Sequence, residues 1–332
     1  MNIYDVAREA TVSIGTVSRV LNGGYVKQAT RERVLTAIHK LDYVPNSGAR
    51  SLGLGRTGVL GIMVPFFTRP FFIEVLRGVE MAAAKAGHEI VLYNVETDQQ
   101  RDNYFKRLPM RKRVDGLLIV SLRPDDQEAT RIREAGLPVV LVDAYHPFFT
   151  SIVVENTGGA RMAVEHLISL GHRRIGFVNG MVEGAFHFNQ ADDRLNGYRE
   201  ALMAAGIDFD PTLIYVSEWN RAGGMKGGDA LLRRDDPPTA IFAASDLQAL
   251  GVLEAMRQHE RNVPHDVSII GFDNIELAEL LNLTTIAQPM CEMGTIGVEQ
   301  LLHGKDEPPR TIQVEAKLVQ RQTTQRLFTG VT

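Results

Sequence analysis

The chain has 332 residues, 44% hydrophobic and 23% charged, with a formal net charge of −4. That is the composition of a globular protein long enough for two or three domains, and it excludes disordered and fibrous classes. A single cysteine, Cys291, excludes an internal disulfide, His166, His172 and His187 are too scattered for a metal site, and no apolar run approaches the roughly 20 residues of a membrane span. With no signal pattern at the N-terminus, a reducing cytoplasm is the expected compartment.

Residues 4–23 read YDVAREATVSIGTVSRVLNG. Ile3, Val6, Ala7 and Ala10 fall at i, i+3, i+4 and i+7, the apolar stripe of a packed helix. Ser13 is a good N-cap for a second helix, in which Val17, Val20 and Leu21 point inward and Gly15, Arg19 and Asn22 point outward. Thr30 is placed to cap a third, carrying Val34, Ile38 and Leu41. Such a helix-turn-helix offers its outward row to DNA. Residues 1–56 hold eight basic residues against four acidic ones, +4, so the rest of the chain carries −8. A basic head on an acidic body suits contact with phosphate backbones at one end only. The next stretch, YVPNSGARSLGLGR (43–56), mixes Pro45 and glycines with a helix-compatible ARSL that Asn46 can cap. It predicts a linker that becomes helical on demand.

From residue 58 short apolar runs alternate with amphipathic stretches. The runs at 58–64, 89–95, 115–121 and 138–143 are separated by helical patterns at 72–85, 100–111 and 126–134. The unit then repeats, with strands near 174, 213, 240 and 268 and helices at 159–170, 195–205, 222–233 and 247–258. Continuous aliphatic strands between helices predict parallel sheets covered on both faces.

The N-terminal DVAREATVSIGTVSRVLNG followed by PNSGARSL resembles the head and hinge of the LacI/GalR transcriptional regulators. The resemblance extends over nearly the whole chain. It implies a small all-α helix-turn-helix head (1–45), a hinge helix or linker (46–57), and a periplasmic-binding-protein-like α/β core of two lobes, 58–156 with 289–316 and 157–288 with 317–332. In the head it implies that Ile14, Gly15 and Arg19 read bases, Arg19 by a bidentate pair with guanine. Ser13, Thr16 and Asn22 are candidates for phosphate contacts, or simply caps and solvated polar groups. It also implies that Leu52 from two subunits wedges into the minor groove at the centre of a palindromic operator.

A cleft between two open sheets gathers ligand residues at strand ends. By resemblance, Asp273 in IIGFDN accepts hydrogen bonds from an effector and Arg194 in DDRLNGY donates them, although an ion pair of Arg194 with Asp192 or Asp193 is an equal use of the same geometry. Trp219 offers an apolar wall to a sugar ring. Ser245, Asp246, Gln288, Phe67 and Phe71 complete the expected site, with Asp246 equally able to cap the next helix and Phe72 better suited to the core. The segment 180–194 is longer than the resemblance leads one to expect, with His187 and Asn189 unexplained.

No nucleophile elbow, phosphate-cradling loop, dinucleotide fingerprint or metal-binding histidine pair is present, so neither an enzyme nor a bound cofactor is expected. The tail after Val319 lacks a leucine heptad, which favours a homodimer over a coiled-coil tetramer. The expected function is a ligand-responsive regulator, most simply a repressor, that binds operator DNA and a small effector, a sugar before a purine. The rival is a sugar-binding protein with an incidental helical extension, which would need neither the basic head nor Leu52.

Overall fold

The computed structural model describes residues 1–21, 23–43, 57–109, 113–181, 186, 189–304 and 307–327. Asn22, Leu52, His187 and the linker up to residue 56 lie outside them. The described parts form two compact units, the head and a core beginning at Val59.

The head holds α1 (Ile3–Glu9), α2 (Ile14–Leu21) and α3 (Gln28–Lys40). Asn2 starts α1 through a reciprocal capping box with Asp5, and Ser13 Oγ accepts the Thr16 N–H at 3.2 Å to start α2. The third helix corrects the expectation for Thr30: its N-cap is Lys27, three residues earlier, and it has no side-chain cap. Arg31 Nη2 donates to the Gly24 carbonyl at 2.9 Å and Gln28 donates to Glu32 at 2.9 Å, so the first turn is held from within and from the preceding loop. Val6, Ala7, Ala10, Val17, Val20, Val34, Ala37 and Tyr43 make the buried centre, with Ile3, Leu21, Ile38 and Leu41 packed around it.

In the core, β1 (Val59–Pro65), β2 (Glu89–Val95), β3 (Gly116–Val120), β4 (Val139–Val142) and β5 (Thr150–Val154) alternate with α4 (Pro70–Lys85), α5 (Asp98–Arg107) and α6 (Asp126–Glu134). The second lobe follows with α7 (Asn156–Ser169), β6 (Ile175–Gly180), α8 (Gln190–Ala204), β7 (Ile214–Ser217), α9 (Arg221–Leu232), β8 (Ala240–Ala243), α10 (Asp246–Gln258), β9 (Ser268–Asp273), α11 (Glu276–Leu280) and β10 (Thr284–Ala287). The chain returns to the first lobe as α12 (Met290–His303) and β11 (Thr311–Val314), then joins the second as β12 (Lys317–Val319). The sheet orders are β11-β5-β4-β3-β1-β2 and β12-β10-β9-β8-β6-β7. Every pairing is parallel except β12 against β10. The inner strands β3, β4, β8 and β9 are buried along their whole length, which is why they read as unbroken apolar runs, whereas the edge strand β2 is exposed over its first four residues.

Sequence periodicity misses β5, α11, β10, α12, β11 and β12. The strands among them, three to five residues long, each begin with Thr or Lys, so they show neither a period nor an unbroken aliphatic run. In α12 the interior glycines lower helix propensity. They are there because the helix lies against α4: a Cβ on Gly294 would stand 2.1 Å from the Val75 carbonyl oxygen.

Candidate functional site

Both sheets bring the carboxyl ends of their strands to one cleft, with a volume of about 640 Å³ including the space open to solvent. Its wall is made by Arg69, Pro70, Phe71, Phe72, Ser121 and Asp143 from the first lobe and Gln190, Arg194, Trp219, Ser245, Leu247, Asp273 and Ile275 from the second. Ser121, Asp143 and Asp273 each stand at the end of a strand with positive φ, 50°, 56° and 122°. Such backbone costs about 1 to 3 kcal/mol per residue and persists where the surroundings impose it, often at binding sites.

Arg194 is the centre of the second-lobe wall. It projects from α8, is 4% exposed, donates Nε to Asn156 Oδ1 at 3.0 Å and Nη1 to the Ala244 carbonyl, and lies 3.7 Å over the Phe272 ring. Burial pulls its pKa down, and the carboxylates of Asp273, Asp143, Asp193 and Asp246 pull it back up. Asp273 Oδ1 accepts from Gln288 Nε2 at 2.7 Å. Its carboxyl is pushed up to about 6 by burial, against the lowering influence of Arg194 and the Gln288 hydrogen bond. Asp143 is likewise raised by burial, opposed by hydrogen bonds from Ser121 and Gln190. Two carboxyls and one guanidinium thus share a low-dielectric cleft, an arrangement suited to polar hydrogen-bonding ligands.

Trp219 reaches the cleft because β6 ends in glycine. A Cβ on Gly180 would stand 1.8 Å from the indole, whose Nε1 donates to the Met181 carbonyl at 3.1 Å. The indole face is left to the cleft as an apolar wall. Of the other expected residues, Phe71 and Ser245 line the cavity. Ser245 also caps α10, accepting the Gln248 N–H at 3.2 Å. Gln288 stands behind Asp273. Asp246 is not part of the wall: its oxygens are taken by the N–H of Ile275, the N-cap residue of α11, at 2.9 Å and by the Thr285 hydroxyl at 2.6 Å, so it does not cap the helix it opens. Phe67 is outside the wall as well, half-exposed, with its N–H on Asn94 Oδ1 at 3.3 Å. Phe72 serves twice, buried in the first lobe's core and touching the cavity.

Sequence reasoning passes over Asp143, Ser121 and Gln190. The signal was available for the first two: Asp143 closes the run PVVLVD and Ser121 closes DGLLIVS, as Asp273 closes IIGFD. In the segment 180–194, Phe186 is buried among first-lobe side chains, its ring 5.2 Å from that of Phe66, whereas Asn189 is exposed.

On the head, Ser13, Gly15 and Arg19 are exposed, and Ile14 is 39% exposed. Arg19 Nε folds back onto the Gly15 carbonyl at 3.2 Å, and Ser13 Oγ lies 3.0 Å from Thr16 Oγ1. Nothing in the head requires glycine at position 15: a Cβ there would meet only Ser13 Oγ, at 3.9 Å.

A helix-turn-helix head joined to a two-lobed core with a cleft at its strand ends defines a ligand-binding DNA-reading protein. Residues 2–46 match the bacterial regulatory proteins of the lacI family, and residues 164–324 match the periplasmic binding protein-like domain. The ribose operon repressor of Haemophilus influenzae is 36% identical, the match covering 96% of this chain and 97% of that protein. Among solved structures, a Lac repressor dimer bound to operator and the anti-inducer ONPF matches with a TM-score of 0.87 at 29% identity, covering 98% of this chain and 99% of that one. A complex of the transcriptional regulator CelR with cellobiose matches with a TM-score of 0.71 at 33% identity, covering 97% and 99%. The chain belongs to the lacI family of bacterial regulatory proteins.

Proposed function

We propose that this protein is a repressor that binds a palindromic operator as a homodimer and responds to a sugar in the inter-lobe cleft, acting in the cytoplasm and without catalysis. The observation that carries the effector assignment is the cleft itself: Arg194, Asp143 and Asp273 line one cavity with the Trp219 indole. Carboxylates and a guanidinium suit vicinal hydroxyls, and an indole suits the C–H face of a sugar ring. The CelR–cellobiose complex supports the sugar class.

In the head, Arg19 and Ile14 are assigned to bases, Gly15 to close approach of the helix, and Ser13, Thr16 and Asn22 to the backbone. Leu52 is assigned to the central minor groove, entering when the linkers of two subunits fold together. Effector binding changes the angle between the lobes, and that angle decides whether the linkers meet. Residues 1–45 serve as the head, 46–57 as the hinge, and the lobes divide as 58–156 with 289–316 and 157–288 with 317–332.

The test is a mobility-shift titration on the fragment upstream of the protein's own gene at several salt concentrations, with and without sugars and purine bases. Log affinity is expected to fall linearly with log salt, and a sugar is expected to change affinity at fixed salt. No shift of that fragment would overturn the operator reading, and a response to a purine base alone would overturn the sugar reading.

A further inference from the structure

Gln190, the first residue of α8 in the second lobe, reaches across the cleft to the first. Its Nε2 donates to the Asp143 carboxylate, Oδ2, at 2.7 Å and to the Asp143 carbonyl at 3.2 Å. The Ser121 hydroxyl donates to the same Oδ2 at 2.5 Å. Among the described residues, Asp143 Oδ1 is left without a partner, and Gln190 Oε1 is buried with none. Two acceptors therefore stand together where the lobes meet. Asp273 adds a third, since Gln288 takes only its Oδ1.

Donors are scarcer. The Ser121 hydroxyl is spent on Asp143, and the Ser245 hydroxyl is engaged with Gln248 Oε1 at 3.2 Å. Arg194 has committed Nε to Asn156 and Nη1 to Ala244, which leaves Nη2 as the donor it offers a ligand. The Arg69 guanidinium lies on the Phe66 ring, 4.0 Å from its centroid. At the Gln190–Asp143 corner itself no donor is left over among the described residues, so the part of a ligand that sits there must bring donors and little negative charge.

We propose that Gln190 and Asp143 form an acceptor-only corner spanning the two lobes, which makes the cleft select unphosphorylated sugars over their phosphate esters. The inference rests on the sugar reading above. Each sugar hydroxyl carries a donor that satisfies a buried, unpaired acceptor, and leaving such an acceptor unpaired is costly. A phosphate ester brings oxygens that only accept, with a charge placed beside Asp143 and Asp273. Because the corner is built from both lobes, a hydroxyl bound there touches both at once.

The experiment is a thermal-shift titration of the full chain with ribose, glucose, galactose and cellobiose, each against its phosphate ester at equal concentration. At least one free sugar is expected to raise Tm, with an apparent affinity at least about tenfold above that of its ester, the loss expected for unmet polar groups. Gln190→Met, which keeps the length of the side chain but removes the acceptor, is expected to weaken the free sugar about tenfold and leave the ester where it was. Gln190→Lys places a cation against Asp143 and is expected to narrow the gap between sugar and ester. Their ligand-free Tm values report folding, and Asp143→Asn, expected to relieve the ester's penalty, is the variant to use if either fails to fold. An ester that binds as tightly as its parent sugar, or a Gln190→Met protein with unchanged sugar affinity, overturns the corner and leaves the sugar reading standing. A panel in which neither sugars nor esters raise Tm removes the sugar reading itself.

Discussion

The head and the cleft are both recognition sites, yet they are built on opposite principles. The outward row of α2 carries residues to which the head's interior is indifferent: Gly15 has open space where a side chain would stand, and Arg19 is exposed with only Nε tied, to its own helix. In the cleft almost every polar side chain is committed to another. Arg194 holds Asn156 and Ala244, Gln288 holds Asp273, and Gln190 holds Asp143 from the opposite lobe. A residue on the head can change with little effect on folding, whereas one in the cleft is part of the fold's electrostatic balance.

The largest test of that contrast is Arg194→Ala. Removing one partner from a buried charge cluster costs about 3 to 5 kcal/mol, so urea denaturation of the full chain is expected to show that loss together with loss of the effector response. A fully stable Arg194→Ala protein would mean that the cleft is no more integral to the fold than the head's surface.

Asp273 gives a subtler test through pH. Its folded-state pKa is raised, to about 6 from 3.8, so the folded state holds this proton more tightly than the unfolded chain does. The stabilising contribution is therefore complete below the unfolded pKa and is lost as pH rises through about 6. Asp273→Asn is expected to remove this part of the pH dependence of Tm between about pH 4 and 6, and to lower sugar affinity by about 10- to 100-fold, the worth of a hydrogen bond to a charged group. Wild-type and variant curves of the same shape would contradict the buried carboxyl.

The smallest effect has the opposite sign. Gly15→Ala fills empty space on an exposed helix and is expected to stabilise the head by about 0.5 to 1 kcal/mol, measured by thermal melting followed by helical circular dichroism. If glycine is there so that DNA can approach closely, the same variant loses operator affinity while gaining stability. Unchanged operator affinity would reduce Gly15 to an indifferent surface residue.

These differences also explain what could be read in advance. The helix-turn-helix was legible because its stripes and the Ser13 cap are local, set by neighbours within four residues, and Thr30 was misjudged because α3 is started by a contact from Gly24 to Arg31 instead of a cap. The alternating α/β core was legible because doubly covered strands must be aliphatic throughout. Arg194, Trp219 and Asp273 were found through resemblance and strand-end position, and Asp143 and Ser121 carried the same strand-end signal. Gln190 carried none, since an amide opening a helix reads as a solvated residue until the other lobe is brought against it.

By itself, then, the sequence determined the head's helices and most of the lobes' alternating strands and helices, and nominated strand-end residues for the cleft, because periodicity, caps and strand ends are short-range properties. Only the tertiary structure decided which polar groups were already spent. Asp246 was turned from ligand to scaffold by Ile275 and Thr285, Phe67 was left at the surface, and Gln190 was paired with Asp143, 47 residues away in sequence. Hydrogen-bonding capacity is used up by whichever partner the fold brings within reach, and that partner is not encoded near the residue it satisfies.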